Sequence, residues 1–350
     1  MFGRIMNSFG GAALGLILFF SSFGILYWNE GRPDFSKFAQ TAVIISAQDF
    51  SLNANLQGKL VAAEGKITTD EKIGDNYLKP GKYLAFERKA EMYAWIESKD
   101  SNTTEAKYSY NKAWVINPKD STHFKITAGH FNPPMQIREN SDRINTAKLG
   151  AYSLNINDIT LPQFVAVDML DRNVVVVGRV SNHDYLYLGR SPSNPQIGDI
   201  KISYKVVESG KNATVFGKLA GGAIIAYPIQ GGTTLYRIFH DSPKDAIATM
   251  HSEFVFSLWG LRVMGFLMMW AGFFMILNPI SAILGIVPFA RDISQWILQV
   301  ITFFFAVIFT VVTVLVSTIA HNIILLFLVA LLGIGSLVMY LKTRVGKKTN

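Results

Sequence analysis

The side chains able to do acid-base or metal chemistry are scattered through this chain. Six histidines, His123, His130, His183, His240, His251 and His321, include no H-x-x-x-H or H-E-x-x-H pair, the spacings that put two ligands on one helix face. Cysteine is absent, which removes thiolate metal sites, iron-sulfur clusters and cysteine nucleophiles. There is no G-x-S-x-G elbow, phosphate loop or dinucleotide fingerprint in its proper context. What remains is dispersed: His130 in GHFNPP, Glu91 and Asp168. A membrane-bound enzyme acting on envelope lipids or proteins would have to bring these together, and that is kept as an alternative. The main expectation is no catalytic activity, no cofactor and no metal.

A second group of polar residues sits beside apolar runs. Trp28-Asn29-Glu30-Gly31-Arg32 closes the first run, and Arg262 precedes the next. Glu30 can pair with Arg32 or with Arg262, in either case as structural glue. The apolar runs contain no acid or arginine of the kind that marks proton relays. Asn278, Thr313, Ser317 and Thr318 are their polar candidates, and a channel-accessory role would need a wet path through Thr313 and Ser317.

These residues are positioned by elements that read first as membrane helices. A bilayer core of ~30 Å takes about 20 apolar helical residues to cross. Residues 301–320 and 322–341 meet that without an acidic or basic side chain, and 9–28 holds no charge across its length. The first is read as a retained helix, since its apolar length exceeds a signal-peptide core; Trp28 and Tyr27 supply interface anchors. Residues 263–279 form the second span if a linking helix over 243–262 contributes a turn or two, with Arg262 snorkelling to an interface. Ile280 to Phe289 is too short to cross, so 280–300 is expected to be a cytoplasmic or interfacial loop. Gly11 and Gly15 have the G-x-x-x-G spacing that allows close helix approach.

Charge gives the orientation. Of 33 Lys and Arg, all but Arg4, Arg291, Lys342, Arg344, Lys347 and Lys348 fall within residues 29–262, together with 24 of the 25 acids. The formal charge of +8 is therefore concentrated beside membrane segments and points to topology, with no nucleic-acid partner. By the positive-inside rule the N-terminus (1–8), the loop near Arg291 and the basic tail (342–350) are cytoplasmic. Residues 29–242 then lie outside, in periplasm or an organelle lumen.

That outer region reads as β-rich. TAVIISA from Thr41 and KLVAAEGKI from Lys59 have strand character, and Asp70 to Gly81 is a loop. Tyr83 to Ser98 could be a helix grouping Leu84, Arg88, Glu91, Met92 and Trp95, but its aromatic content favours a strand with Phe86, Arg88, Ala90, Met92 and Ala94 on one face. Lys107 to Trp114 is its expected hairpin partner. Thr127 to Lys148, broken by Pro133-Pro134, is expected as an exposed excursion that could split the domain in two. VVVVGRV (174–180) reads as a buried strand, and further strands flank the Glu208-Ser209-Gly210-Lys211 turn. Ser242 with Pro243 opens a helix. The fold class expected is α+β: four transmembrane helices with a large β-rich extracytoplasmic domain between the first and second.

Several stretches together resemble the transmembrane protein 43 family, also called LUMA. They are Trp28-Asn29-Glu30-Gly31-Arg32, Gly58 to Gly65, Arg88-Lys89-Ala90-Glu91-Met92-Tyr93-Ala94-Trp95, Tyr108 and Tyr110 with Trp114, Asn132-Pro133, Pro195-Gln196-Ile197-Gly198-Asp199-Ile200, and Gly260-Leu261-Arg262. The resemblance implies four spans, a large non-cytoplasmic domain and no established catalysis. It also implies the endoplasmic reticulum or inner nuclear membrane in a eukaryote, and the cytoplasmic membrane in a bacterium. Animal members of the family associate with emerin and lamins; bacterial members have no lamins, so those partners are not carried over, and Glu91-Met92-Tyr93-x-Trp95 is read as serving fold or assembly. The functional expectation is a multi-pass scaffold in the lipid bilayer that binds other membrane proteins or copies of itself.

Overall fold

The computed structural model describes residues 2–48, 55–100, 107–170, 173–175, 180–284, 295–329, 331–332 and 336. They form two compact units, one of residues 36–248 and one that joins the N-terminal 35 residues to those from Thr249 onward.

In the membrane-helix unit, α1 runs Phe2–Glu30. The short α2, Phe35–Ala39, begins at its edge. Helix α3 spans Pro243–Leu284 and α4 spans Gln295–His321. Among the described residues, three helices are long and apolar enough to cross a membrane: within Gly10–Ala39, Pro243–Asn278 and Ile297–His321. The linking helix and second span expected as separate pieces are one continuous helix, and it does not stop at Pro279. Proline is tolerated in membrane helices because neighbouring groups re-satisfy the freed carbonyl. Of the expected interfacial segment, 280–284 is the last turn of α3, and 285–289 lies outside the described residues. Asn322 caps a further helix, accepting from the Ile324 and Leu325 amides on Oδ1, and 323–329 is helical. Most of the remainder of the expected fourth span to residue 341 lies outside the described residues.

The β-rich unit contains β1 (Val43–Ser46), β2 (Leu60–Thr68), β3 (Tyr83–Asp100), β4 (Lys107–Val115), β5 (Asn140–Arg143), β6 (Thr146–Leu149), β7 (Tyr152–Asn155) and β8 (Val165–Ala166). It continues with β9 (Val180–Ser181), β10 (Leu186–Leu188), β11 (Ile200–Glu208), β12 (Asn212–Ala220), β13 (Ala223–Ile225), β14 (Tyr227–Pro228), β15 (Thr234–Leu235) and β16 (Arg237–Phe239). Strand β2 pairs antiparallel with β6, β6 with β7, β7 parallel with β13, β13 with β12, and β12 returns to β2. The ring is closed, giving a five-stranded Greek-key barrel with the connectivity of the OB type. Its interior is filled by Val61, Ala63, Ile67, Leu149, Leu154, Val215, Leu219 and Ile224. Strand β1 lies parallel on β2, and β16 flanks β12.

The second sheet has the order β4-β3-β11-β10-β9, with β5 on β3 and β8 on β11. One face packs Phe86, Met92, Ala94, Ile202, Tyr204 and Val206 into a separate core, so the face read for the long strand is the buried one. The two sheets do not divide at 127–148. Barrel strands precede and follow those of the second sheet, because β2 closes on β12 some 150 residues later, and 127–148 itself contributes β5 and part of β6. At Glu208-Ser209-Gly210-Lys211 the chain passes from one sheet to the other, through an irregularity at Val207/Glu208. Most of the expected VVVVGRV strand lies outside the described residues; its ends contribute only the Leu78–Val174 bridge and β9.

Gly150 tests the barrel closure. It has φ +55, and a Cβ there would lie 2.3 Å from the Ala47 carbonyl oxygen, whereas Gly221, at φ +53, faces open space. Gly221→Ala should cost only the left-handed backbone penalty, about 1 kcal/mol, while Gly150→Ala adds a backbone clash and should cost at least about 3 kcal/mol. Thermal melts of the full chain in detergent, followed by near-ultraviolet circular dichroism, distinguish the two.

Candidate interaction sites

In the helix unit, the residues after the first span form a clasp. Arg262 donates through Nε to Glu30 Oε1 at 2.8 Å and through Nη2 to Oε2 at 2.7 Å. Glu30 therefore pairs with Arg262, and Arg32 turns elsewhere. Its Nε donates to Asn29 Oδ1 at 3.1 Å and its Nη2 to Ser257 Oγ at 3.1 Å. Asn29, fully buried, donates to the Leu258 carbonyl at 3.0 Å. The Arg32 guanidinium also lies 5.6 Å from the Trp28 ring. A bidentate guanidinium–carboxylate pair is the strongest side-chain clasp available where water is scarce. Sequence reasoning missed α4's share of it: Ser317 donates to the Tyr27 carbonyl at 2.9 Å, and Thr318 to Glu30 Oε2 at 3.4 Å. Polar residues of a helix facing its neighbours were the available signal.

Lower in the same unit α1 and α3 meet at Gly15 and Gly272. A Cβ on Gly15 would sit 2.8 Å from the Gly272 carbonyl oxygen, while one on Gly11 would meet nothing within 4 Å. Of the two glycines singled out, Gly15 makes the close approach and Gly11 does not. Phe19 stacks on Phe273 and meets Phe309 edge-on, so dispersion between large rings continues the contact.

In the β-rich unit, the residues from Arg88 to Trp95 occupy both faces of β3. Arg88 donates to Asp75 Oδ2 at 2.6 Å and to the Arg138 carbonyl at 3.0 Å. Tyr204 donates to Asp75 Oδ1, which also accepts the Tyr77 and Leu78 amides. Burial pushes the Asp75 carboxyl up, but these donors and Arg88 outweigh it and hold it below its ordinary range. Burial, reinforced by Asp75, drives the Tyr204 hydroxyl the other way, well above that of a free tyrosine. Glu91 pairs with Lys89 at 2.9 Å, and Met92 is buried.

Tyr93 and Trp95 lie on the opposite, half-exposed face. Tyr93 contacts Trp114, Trp95 meets His130 edge-on, and His130 stacks on Tyr110 with centroids 3.9 Å apart. Lys112 caps Trp95, and Lys201 caps Trp114. Asn132 pins the loop that carries His130: its side-chain oxygen accepts the Trp95 amide at 2.8 Å and its nitrogen donates to the Trp95 carbonyl at 3.0 Å. The carboxamide thereby imitates one residue of a neighbouring strand. Asp199 closes the turn after the half-buried Pro195, accepting from the Gln196 amide and from Tyr187 Oη. A Cβ on Gly198 would come within 3.0 Å of the Pro133 ring. The motif residues of this unit are thus held in one connected set of strand, loop and turn.

The family model of transmembrane protein 43 matches residues 92–323, from the middle of β3 through α4. The chain belongs to the transmembrane protein 43 family. Transmembrane protein 43 of Mus musculus is 25% identical over 337 residues, covering 89% of this chain and 84% of the relative. The Homo sapiens protein is also 25% identical, over 338 residues with the same coverage. The transmembrane protein 43 homolog of Drosophila melanogaster is 24% identical over 288 residues, 75% of each chain. No solved structure matches. The transmembrane protein 43 match includes Met92, Tyr93, Trp95, Asn132, Pro195, Gly198, Asp199 and Arg262, while Glu30, the partner of Arg262, precedes it. The relatives carry the name of a membrane protein and of no enzyme family.

Two measurements test these clusters. Glu30→Gln leaves the Arg262 charge without its carboxylate and should destabilise the helix unit by about 3 kcal/mol, with the exchange Glu30→Arg plus Arg262→Glu restoring part of the loss in detergent-resistance assays. For Asp75 the folded pKa is below the unfolded value of about 3.9, so the unfolded chain binds more protons as pH falls. Its contribution is fully present above about pH 4 and is lost on acidification through the lower folded value. Asp75→Asn should therefore lower Tm at neutral pH by roughly 4 °C or more and flatten the acid limb of a Tm–pH profile.

Proposed function

We propose that this chain is a multi-pass membrane scaffold that organises membrane protein complexes through its β-rich domain and its helix packing, and that it associates with itself. In this reading the β-rich domain is extracytoplasmic and both termini are cytoplasmic. The membrane is the cytoplasmic one in a bacterium, and the endoplasmic reticulum or inner nuclear membrane in a eukaryote. The observation that carries the proposal is where the polar groups of the helix unit are spent. Asn29, Glu30, Arg262 and Ser317 bond from one helix to another, Arg32 just past the end of α1 bonds to Ser257 of α3, and Thr313 bonds back to the Phe309 carbonyl of its own helix. Such groups hold helices together; a transport path would leave them facing water.

The enzyme alternative draws on His130, Glu91 and Asp168. These engage different neighbours: His130 the Tyr110 and Trp95 rings, Glu91 the Lys89 ammonium, and Asp168 the Leu170 amide and His183. That favours structural roles for all three.

Crosslinking of the full chain in native membranes, followed by mass spectrometry, tests the scaffold reading. The expected outcome is reproducible links from lysines of the β-rich domain to another membrane protein or to a second copy. A solitary protein, free of links at crosslinker levels that join known neighbours, would overturn it.

A further inference from the structure

Strand β4 ends the second sheet, and among the described residues its outer edge meets no other strand. It is nine residues long without a proline or a bulge, and edges of that length are ordinarily blunted or covered. The phase of its backbone follows from β3. The Tyr93 amide bonds the Asp199 carbonyl, the Tyr93 carbonyl accepts from Gly198, and Trp95 bonds Asn132 on the same side. The odd-numbered residues of β3 therefore point their main chain away from β4, so the even-numbered ones form the ladder to it. The register Ala94↔Ala113, Ile96↔Asn111 and Ser98↔Ser109 then turns the odd-numbered residues of β4 inward. Tyr108, Tyr110, Lys112 and Trp114 are left with N–H and C=O directed outward, with no main-chain partner among the described residues.

We infer that β4 is a homodimer interface, pairing antiparallel with the β4 of a second copy about a two-fold axis at Asn111. This deepens the self-association part of the function proposed above and rests on it. A symmetric antiparallel pair across one sheet brings residues of the same parity face to face. With the axis at Asn111, Tyr108 lies opposite the second copy's Trp114, and Tyr110 opposite the second copy's Lys112. Each such pair exchanges two hydrogen bonds, and every outward group on the strand gains a partner. An axis at Lys112 would put that ammonium against its own copy, and an axis at Tyr110 would leave the Trp114 main chain unpaired. The Asn111 register is the one that saturates the edge and opposes no like charges. It also matches aromatic with aromatic and aromatic with cation, pairings that favour sheet contacts. The aromatic and lysine rows already formed by Tyr93 with Trp114 and by Trp95 with Lys112 would continue across the junction.

The natural absence of cysteine makes the register testable. At the axis Asn111 faces its own copy as a non-hydrogen-bonded pair with Cα atoms about 4.5 Å apart, inside the disulfide range of about 4.4–6.8 Å. Ser109 would be roughly 13 Å from its own copy, outside it. Full-length Asn111→Cys in membranes, oxidised with copper phenanthroline and run without reductant, should give a dimer band, and Ser109→Cys should not. Adding Lys112→Pro to Asn111→Cys should abolish the band, since it removes an outward N–H and leaves the ladder to β3 intact. Light scattering in mild detergent reports the mass independently. A dimeric mass without an Asn111→Cys disulfide would overturn this interface and leave self-association standing. A monomeric mass with no disulfide would overturn both. Equal crosslinking at Ser109→Cys, or Asn111→Cys adducts only to other proteins, would also overturn the interface.

Discussion

The pairing of β2 with β12 joins residues 60–66 to residues 212–218, and the whole of the second sheet lies in the chain between those two strands. Between the two strands the chain contributes β6 and β7 to the barrel and otherwise leaves it and returns. The second sheet is assembled from those departures: β3, β4 and β5 leave after β2 and return at β6, and β8 through β11 leave after β7 and return at β12. Each sheet acquires its own apolar core. Such a closure forms late in sequence distance, so its loop entropy must be met by the well-filled interior.

The helix unit solves a different problem. Apolar side chains give helices no preference for one another over lipid, so its specificity comes from a few places where the surfaces are not interchangeable. The glycine crossing at Gly15 and Gly272 admits the backbones to close range, and the Glu30–Arg262 clasp with Asn29, Arg32, Ser257 and Ser317 fixes rotation and depth. Because these groups recur at intervals along α1, sliding one helix by a turn would break the crossing and the clasp together.

Much of this was legible in the sequence where a residue's own type dictates its surroundings. Glu30 flanks an apolar run with Arg32 and Arg262 as its two possible partners, of which the structure uses Arg262, and alternation along β3 identified its buried face. Ser242 does cap α3, accepting the Asp245 amide. What was not legible is partnership between distant strands. Period-two patterning says that Leu60 to Thr68 is a strand but not that it lies between β6 and β12, so the interleaving of two sheets was read as a split near 127–148. Asn132 was seen only as part of a motif, because the peptide-like use of its side chain depends on a loop meeting β3. The second span was bounded at 279, but α3 continues to Leu284, since a proline need not end a helix whose neighbours re-satisfy the freed carbonyl.

Asn132 is followed by Pro133, and that neighbour gives the strand-like plug chemical permanence. Asparagine commonly ages when the next residue's main-chain nitrogen attacks the side-chain amide, forming a cyclic imide that opens to aspartate or isoaspartate. Proline has no N–H to make that attack. A carboxamide whose nitrogen must keep donating to the Trp95 and Lys119 carbonyls is thus shielded from slow conversion into a carboxylate that could only repel them. The contact that holds β3 is closed to that route of ageing.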